Sequence, residues 1–382
     1  SNLTVKASYG VQGNDNLGTY YAWQGLYDYT WANGSEAGAF ASKLENKAIT
    51  WEKNGNLNTG IEASLFGGKV TFTAEYYNRN TRDMLLESPL AISTGFTGYD
   101  ANVGSMRNQG FEFSGRVNII DKPNFRWDAN AMASMNRNKV TSLTSSQDFI
   151  SSGASVIEVG KPIYTFYLSK TAGVDPATGK RLYYAYWKRG VDETGAVSNV
   201  RCDEYVTDNV SLASLSKYYM GSREPAVSGS LGSSFVIFKN IDLSFLTTWS
   251  IGGKVYDGLY SSTMNVQYAG NNWHRNVLRR WQKPGDVTDV PMVEIGGSAP
   301  ANDSSLINAS YFAIKNITLG YTFPKNWLSK IDVSALRLFV TADNIAMFNH
   351  LDGMDPQYNF TGSVSYSYTP SRAILAGLDI QF

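Results

Sequence analysis

The chain is short of nearly everything that marks the common function classes. It holds a single cysteine, Cys202, so a small fold stapled by internal disulfides is excluded. Charge is scarce and balanced: 33 Lys+Arg stand against 33 Asp+Glu, and the charged fraction of 17% lies below the roughly 25% of an ordinary soluble domain. Without a basic excess there is no electrostatic footprint for nucleic acid, and without an acidic one no sponge for cations. No apolar run reaches the ~18 residues of a transmembrane helix, since the longest, Leu182 to Trp187, is strand-sized. The opening SNLTVKASYG already alternates, so any signal peptide is expected upstream or already removed.

Reactive constellations are as thin. There are two histidines, His274 and His350, and H-E-x-x-H, C-x-x-C, G-x-S-x-G and G-x-G-x-x-G are all missing. Gly173 to Lys180 imitates a phosphate loop with the wrong spacing and runs into Arg181 where Ser or Thr belongs. The acid pairs Asp192-Glu193 and Asp203-Glu204 fall in an expected loop near Arg189 and Arg201, with nothing to fix the carboxylate separation that glycoside hydrolysis needs. No catalytic centre, metal site or cofactor is expected.

Aromatics, in contrast, make up 13% of the chain, and a period of two recurs throughout. Ile241, Leu243, Phe245, Thr247, Trp249 and Ile251 face one way, against Asp242, Ser244, Leu246, Thr248 and Ser250. Phe125, Trp127, Ala129, Ala131, Ala133 and Met135 oppose Arg126, Asp128, Asn130, Met132, Ser134 and Asn136. The last segment sets Ile374, Ala376, Leu378, Ile380 and Phe382 against Leu375, Gly377, Asp379 and Gln381. Strands of ten or more residues with one apolar and one polar face suit a bilayer crossing, lipid on one side and a wet lumen on the other.

The spacing predicts about twelve strands, near 2–11, 51–66, 69–87, 105–118, 123–137, 163–173, 181–187, 226–238, 240–252, 310–323, 335–348 and 371–382. Connections at Gly67-Gly68, Ile119-Asn124, Val174-Lys180, Lys239 and Pro324-Ser334 are short, and those at 12–50, 88–104, 138–162, 188–225, 253–309 and 349–370 are long. Strict alternation of short and long links is the mark of an all-β, antiparallel up-and-down transmembrane barrel with short periplasmic turns and long outer loops. Gly67-Gly68 and Asp175-Pro176-Ala177-Thr178-Gly179 carry hairpin-turn chemistry.

The long loops concentrate aromatic residues: Tyr20, Tyr21, Trp23, Tyr27, Tyr29 and Trp31 in the first, and Tyr256, Tyr260, Tyr268, Trp273 and Trp281 with His274 in 253–309. Such rings can stack on sugars or grip peptides, but they can equally pack loops together, girdle the membrane interface or bury against a partner protein. Trp23, Tyr27, Trp31, Trp273, His274 and Tyr358 are the candidate contacts to substrate or to a covering lid.

The stretches Ser8-Tyr9-Gly10-Val11-Gln12-Gly13-Asn14, Tyr76-Tyr77-Asn78-Arg79-Asn80-Thr81-Arg82-Asp83-Met84-Leu85 and Ala172-Gly173-Val174-Asp175-Pro176 with Gly179 resemble the barrel of SusC/RagA-type TonB-dependent transporters of Bacteroidetes. So do Arg223-Glu224-Pro225, Arg280-Trp281 before Pro284-Gly285-Asp286, Ile314-Lys315-Asn316-Ile317-Thr318-Leu319-Gly320-Tyr321 and Gly353-Met354-Asp355-Pro356. The resemblance implies active import of oligosaccharides or peptides across the outer membrane, energised through TonB, with a SusD-like surface lipoprotein as lid. It also implies that 1–382 is the C-terminal portion of a plugged barrel of about 22 strands. The plug, the TonB-contacting segment and the first strands would then lie outside this sequence, and the remaining strands and outer-membrane lipid would flank it. From the residues alone, a free-standing pore, a small barrel enzyme and a soluble carbohydrate-binding β-domain remain open as alternatives.

Overall fold

In the computed structural model, residues 1–143, 149–191, 195–266, 270–297, 299–328, 333–351, 353–357, 362–364 and 368–382 are described. Long strands dominate because alternating sequences satisfy their backbone only by pairing with neighbours. Ten of them form one sheet: β1 Asn2–Asn14, β2 Glu52–Leu65, β3 Val70–Arg82, β4 Ser105–Lys122, β5 Phe125–Ser142, β6 Val227–Ile237, β7 Ile241–Ile251, β8 Tyr311–Thr322, β9 Ala335–Phe348 and β10 Ala373–Gln381. Each pairs antiparallel with the next in chain order, so the sheet is an up-and-down meander. It is not closed, and β1 and β10 are its two edges.

The register sorts every side chain to one face. Lys6 lies with Glu62 and Glu75, Glu112 with Ser134, Arg116 with Asn130, Asp128 with Asn118 and Ser234, Asp242 with Gly320, and Arg337 with Asp379, all on one continuous polar side. Charges on that side are paired. Asp128 accepts from Arg126 at 2.8 Å and from Arg116 and Asn118 at 3.2 Å, and Arg337 joins Asp242 at 2.6 Å and Asp379 at 3.4 Å. Where a large side chain lies flat on this wall, the facing residue is small: a Cβ on Gly377 would sit 2.2 Å from the Phe339 ring.

The opposite side carries Val5, Ile61, Phe113, Phe245, Leu319, Leu338 and Leu378, all exposed. The chain exposes 23470 Å², whereas a globular monomer of 42.1 kDa would expose roughly 15,000 Å². An apolar sheet face left open on this scale needs lipid against it, which is incompatible with strands closed around a dry core.

Tight turns close one end. Phe66–Gly68, Pro123-Asn124 and Phe238 to Asn240 are hairpin links, and 323–334 is the longest on this side. At the other end the links are long: 15–51, 83–104, 143–226, 252–310 and 349–372.

The expected strands 163–173 and 181–187 are not in the wall. The first divides into Thr165–Ser169 and Thr171–Val174, and the second pairs with Val197–Thr207 in a separate three-stranded sheet. The strand runs from Arg181 to Val191, long enough to cross a bilayer, but both faces of its Leu182 to Trp187 stretch are apolar, so it packs on both sides instead of lining water. Removing two strands at once preserves the alternation of links. The Asp175 turn therefore belongs to one long outer excursion, 143–226, and is not a periplasmic hairpin.

Candidate functional site at the outer end of the wall

The 143–226 excursion is held to the 252–310 loop by backbone contacts. Ser169 N donates to Ala301 O at 3.1 Å, and the Asp303 carboxylate accepts from both the amide (2.9 Å) and the hydroxyl (2.7 Å) of Thr171. The Asp175 carboxylate folds its own turn, accepting from Ala177 N at 2.9 Å and Thr178 Oγ1 at 2.7 Å, and these bonds hold its pKa below the ordinary carboxylate range. Against that turn lies Trp281, whose indole N–H donates to Pro176 O at 2.9 Å, while Gly285 N reaches Pro176 O and Met292 N reaches Gly179 O, both at 2.8 Å. Gly179 is obligatory here: its φ is 73° and a Cβ would enter the Trp281 ring at 2.4 Å. Two distant sequence stretches, 172–179 and 280–286, are thus one clasp.

A second clasp closes the base of the excursion. Glu224 accepts from Asn138 N at 3.1 Å and Asn136 Nδ2 at 2.9 Å, Arg223 donates to Pro356 O, and burial pushes the Glu224 carboxyl above its usual range. Behind it, Val255, Ala309, Leu351, Met354 and Val364 form an apolar cluster that ties the last two loops together.

Between the first clasp and the helix Gly258–Thr263 opens a cavity of about 740 Å³ lined by Arg181, Tyr183, Tyr256, Tyr260, Asp289 and Glu294. Burial pulls the Arg181 pKa down, although Tyr183, Asp289 and Asp303 oppose that shift. Among the described residues no group of three or more His, Cys, Asp or Glu is placed to hold a metal ion.

His274 stands one step behind this cavity. Its Nδ1 accepts from Asn276 N at 3.2 Å and its ring meets Tyr260 edge-on at 4.9 Å, so it braces a lining residue. Trp273 is exposed beside it. Trp23, Tyr27 and Trp31 are also exposed, in the 15–51 loop, where Trp31 tilts against Phe40 at 6.4 Å. None of these three makes a ring contact with Trp273 or His274 among the described residues. Tyr358 lies outside the described residues, as do Tyr268 and the pair Asp192-Glu193.

Arg181 and Tyr183 escape sequence reasoning because their segment imitates a barrel strand. The signal that could have found them is the aromatic content of both faces of 181–187.

A family described as TonB dependent receptor-like, beta-barrel, matches residues 1–345. TonB-dependent receptor SusC of Bacteroides thetaiotaomicron is 27% identical over 100% of this chain and 38% of its own length, and TonB-dependent receptor P39 of Formosa agariphila is 25% identical over 100% and 40%. Among solved structures, the RagAB peptide transporter superposes with a TM-score of 0.84 at 26% identity, over 100% of this chain and 41% of that one. The chain therefore spans about two fifths of the length of these relatives. With a lipid-facing meander, a polar inner face and a family match over most of its length, the chain belongs to the TonB-dependent receptor-like β-barrel family, of SusC/RagA type, and is an outer-membrane protein.

Proposed function

We propose that this chain forms the C-terminal part of the barrel of an active outer-membrane importer of oligosaccharides or peptides, energised through TonB and working with a SusD-like surface lipoprotein. The observation that carries the reading is the open wall. Ten lipid-length strands leave the outer edges of β1 and β10 unpaired, and an unpaired strand edge in hydrocarbon costs several kcal/mol for each orphaned backbone group. Further strands must complete it, and a barrel of about 22 strands around a plug supplies them. The polar face with its paired charges suits contact with a plug and a hydrated path, while the clasped outer loops offer a platform for cargo and lid. Trp273 is exposed on that platform and Trp23, Tyr27 and Trp31 on the 15–51 loop, and these rings are assigned to cargo or lid contacts, with His274 in support. Support also comes from the relatives, one named SusC and one described as the RagAB peptide transporter.

Mass spectrometry of the native detergent-extracted complex tests this. The expected result is a polypeptide far heavier than 42.1 kDa that co-purifies with a lipoprotein. A lone chain of that mass, stable in detergent, would refute it and point to a small autonomous pore.

A further inference from the structure

We infer that the cavity between the 171–183 hairpin and the 281–305 loop is a binding site for a carboxylate group of the ligand, with Arg181 as the residue that receives it. The inference rests on the import reading only in taking that ligand to be cargo.

The argument is one of matching charges. Arg181 is partly buried, carries five N–H donors in a planar fork and stays protonated at any physiological pH. Neighbouring cations have acids of their own: Lys180 pairs with Asp208 at 3.0 Å and Arg279 with Asp289 at 3.4 Å. Asp303, which also faces Arg181, already spends an oxygen on two donors from Thr171. Among the described residues the guanidinium has no hydrogen bond or ion pair, with Asp289 and Asp303 acting on it only through space, and it lines a cavity of about 740 Å³, room enough for a sugar ring or a few amino-acid residues.

A half-desolvated guanidinium with no hydrogen-bonded acceptor is costly, and a carboxylate accepts two of its donors in parallel. Tyr183, Tyr256 and Tyr260 add ring faces and hydroxyls around it, the mixture that holds sugars or peptides in orientation. Glu294, exposed at the same rim and in no ion pair among the described residues, sets the selectivity, because it repels a second negative charge.

Calorimetric titration of the native detergent-extracted protein tests the site. The probes are trigalacturonate and an acidic tripeptide, each beside a neutral counterpart, maltotriose and the amidated tripeptide. At least one acidic probe is expected to bind, tenfold or more tighter than its neutral partner and more weakly in high salt. The probe that binds tells a uronic acid from a peptide carboxylate. Arg181→Gln is expected to abolish the preference, Arg181→Lys to restore part of it, and Glu294→Gln to tighten acidic probes severalfold. The opposite sign of the last variant separates charge from misfolding. No preference for either acidic probe, or a preference unchanged in Arg181→Gln, overturns the site. Binding that depends on Arg181 without uptake of the probe by cells would leave the site standing and overturn its link to import.

Discussion

The wall and the outer excursion are built from similar residues under opposite rules. In β7, a single period of two decides everything: Leu243 and Phe245 meet lipid, Asp242 and Ser244 meet the interior. In Arg181–Val191 the strand is apolar on both faces from Leu182 to Trp187: Tyr183 and Ala185 are buried on one face and Tyr186 packs edge-on against Tyr218 at 5.4 Å on the other. An extended apolar pattern therefore signals a strand, while the polarity of the weaker face tells which solvent that strand meets. A wall strand has one wet face along its length, whereas Leu182 to Trp187 has none and only Lys188, Arg189 and Val191 at the end of that strand are exposed.

The largest expected effect tests the wall. Leu378→Arg, on the lipid side of β10, should cost roughly 2 to 4 kcal/mol if it sits near the midplane, whereas Leu375→Arg, three residues away on the polar side, should cost about 1 kcal/mol or less. Heat-modifiable electrophoretic mobility after membrane extraction reads the folded fraction of each. Equal losses would dissolve the distinction between the two faces.

The excursion should respond to geometry instead. Gly179→Ala places a Cβ in the Trp281 ring at a left-handed backbone position, a cost of about 1 to 3 kcal/mol borne by the clasp alone. Hydrogen exchange is expected to rise at 171–183 and 281–292 and to stay unchanged across β1–β10. Faster exchange in the wall would show that the two regions fold as one unit.

How much of this was legible follows from the same contrast. All ten wall strands are readable because lipid and water impose opposite demands on alternate residues, and a one-residue slip would exchange them. The end of the molecule that bears the long loops is readable for the same reason. What was not legible is the packing of one loop on another. The sequence stretches 172–179 and 280–286 were visible as separate signatures, but nothing local says that Trp281 covers Gly179, since that contact spans about a hundred residues. Arg181 was hidden more deeply, because an arginine at the start of an alternating strand fits a barrel rim as well as a cavity. The aromatic loops illustrate the remaining ambiguity: exposure of Trp23, Tyr27 and Trp31 is compatible with stacking on cargo or with burial beneath a lid.

A smaller effect sharpens the boundary where the excursion meets β5. The folded pKa of Glu224 is raised above its ordinary 4.5 by burial, so the folded protein binds more protons than the unfolded chain between 4.5 and the raised value. Stability of this clasp should therefore rise as pH falls through that window and be lowest once the carboxylate is fully charged. Glu224→Gln removes the titration but also turns an amide toward Asn138 N or Asn136 Nδ2, so its clasp should be flat with pH. Exchange rates of residues 223–226 between pH 4.5 and 7 provide the check. A wild-type profile that strengthens with rising pH would reverse the sign and make the hydrogen bonds, not burial, dominant.

The smallest effect returns to the wall, at its tight-turn end. Phe238 and Lys239 occupy φ of 53° and 66°, with Asn240 N bonding back to Ile237 O at 3.2 Å, the backbone of a type I′ hairpin that suits the twist of β6 and β7. Neither residue favours that region, whereas Asn followed by Gly does, and no packing explains the phenylalanine, which is 68% exposed. Phe238→Asn with Lys239→Gly should stabilise the wall by about 1 kcal/mol or less, visible as a slightly higher temperature of mobility shift. Refolding into detergent micelles should change little, and insertion into bilayers should slow if the ring is an interfacial anchor, because aromatic side chains at the strand ends sit at headgroup level. A double variant that is more stable and inserts as fast would show that this end is held by pairing alone. In that case the wall would owe its position in the membrane to the lipid-facing side chains along its strands, and the turns would serve only to set their register.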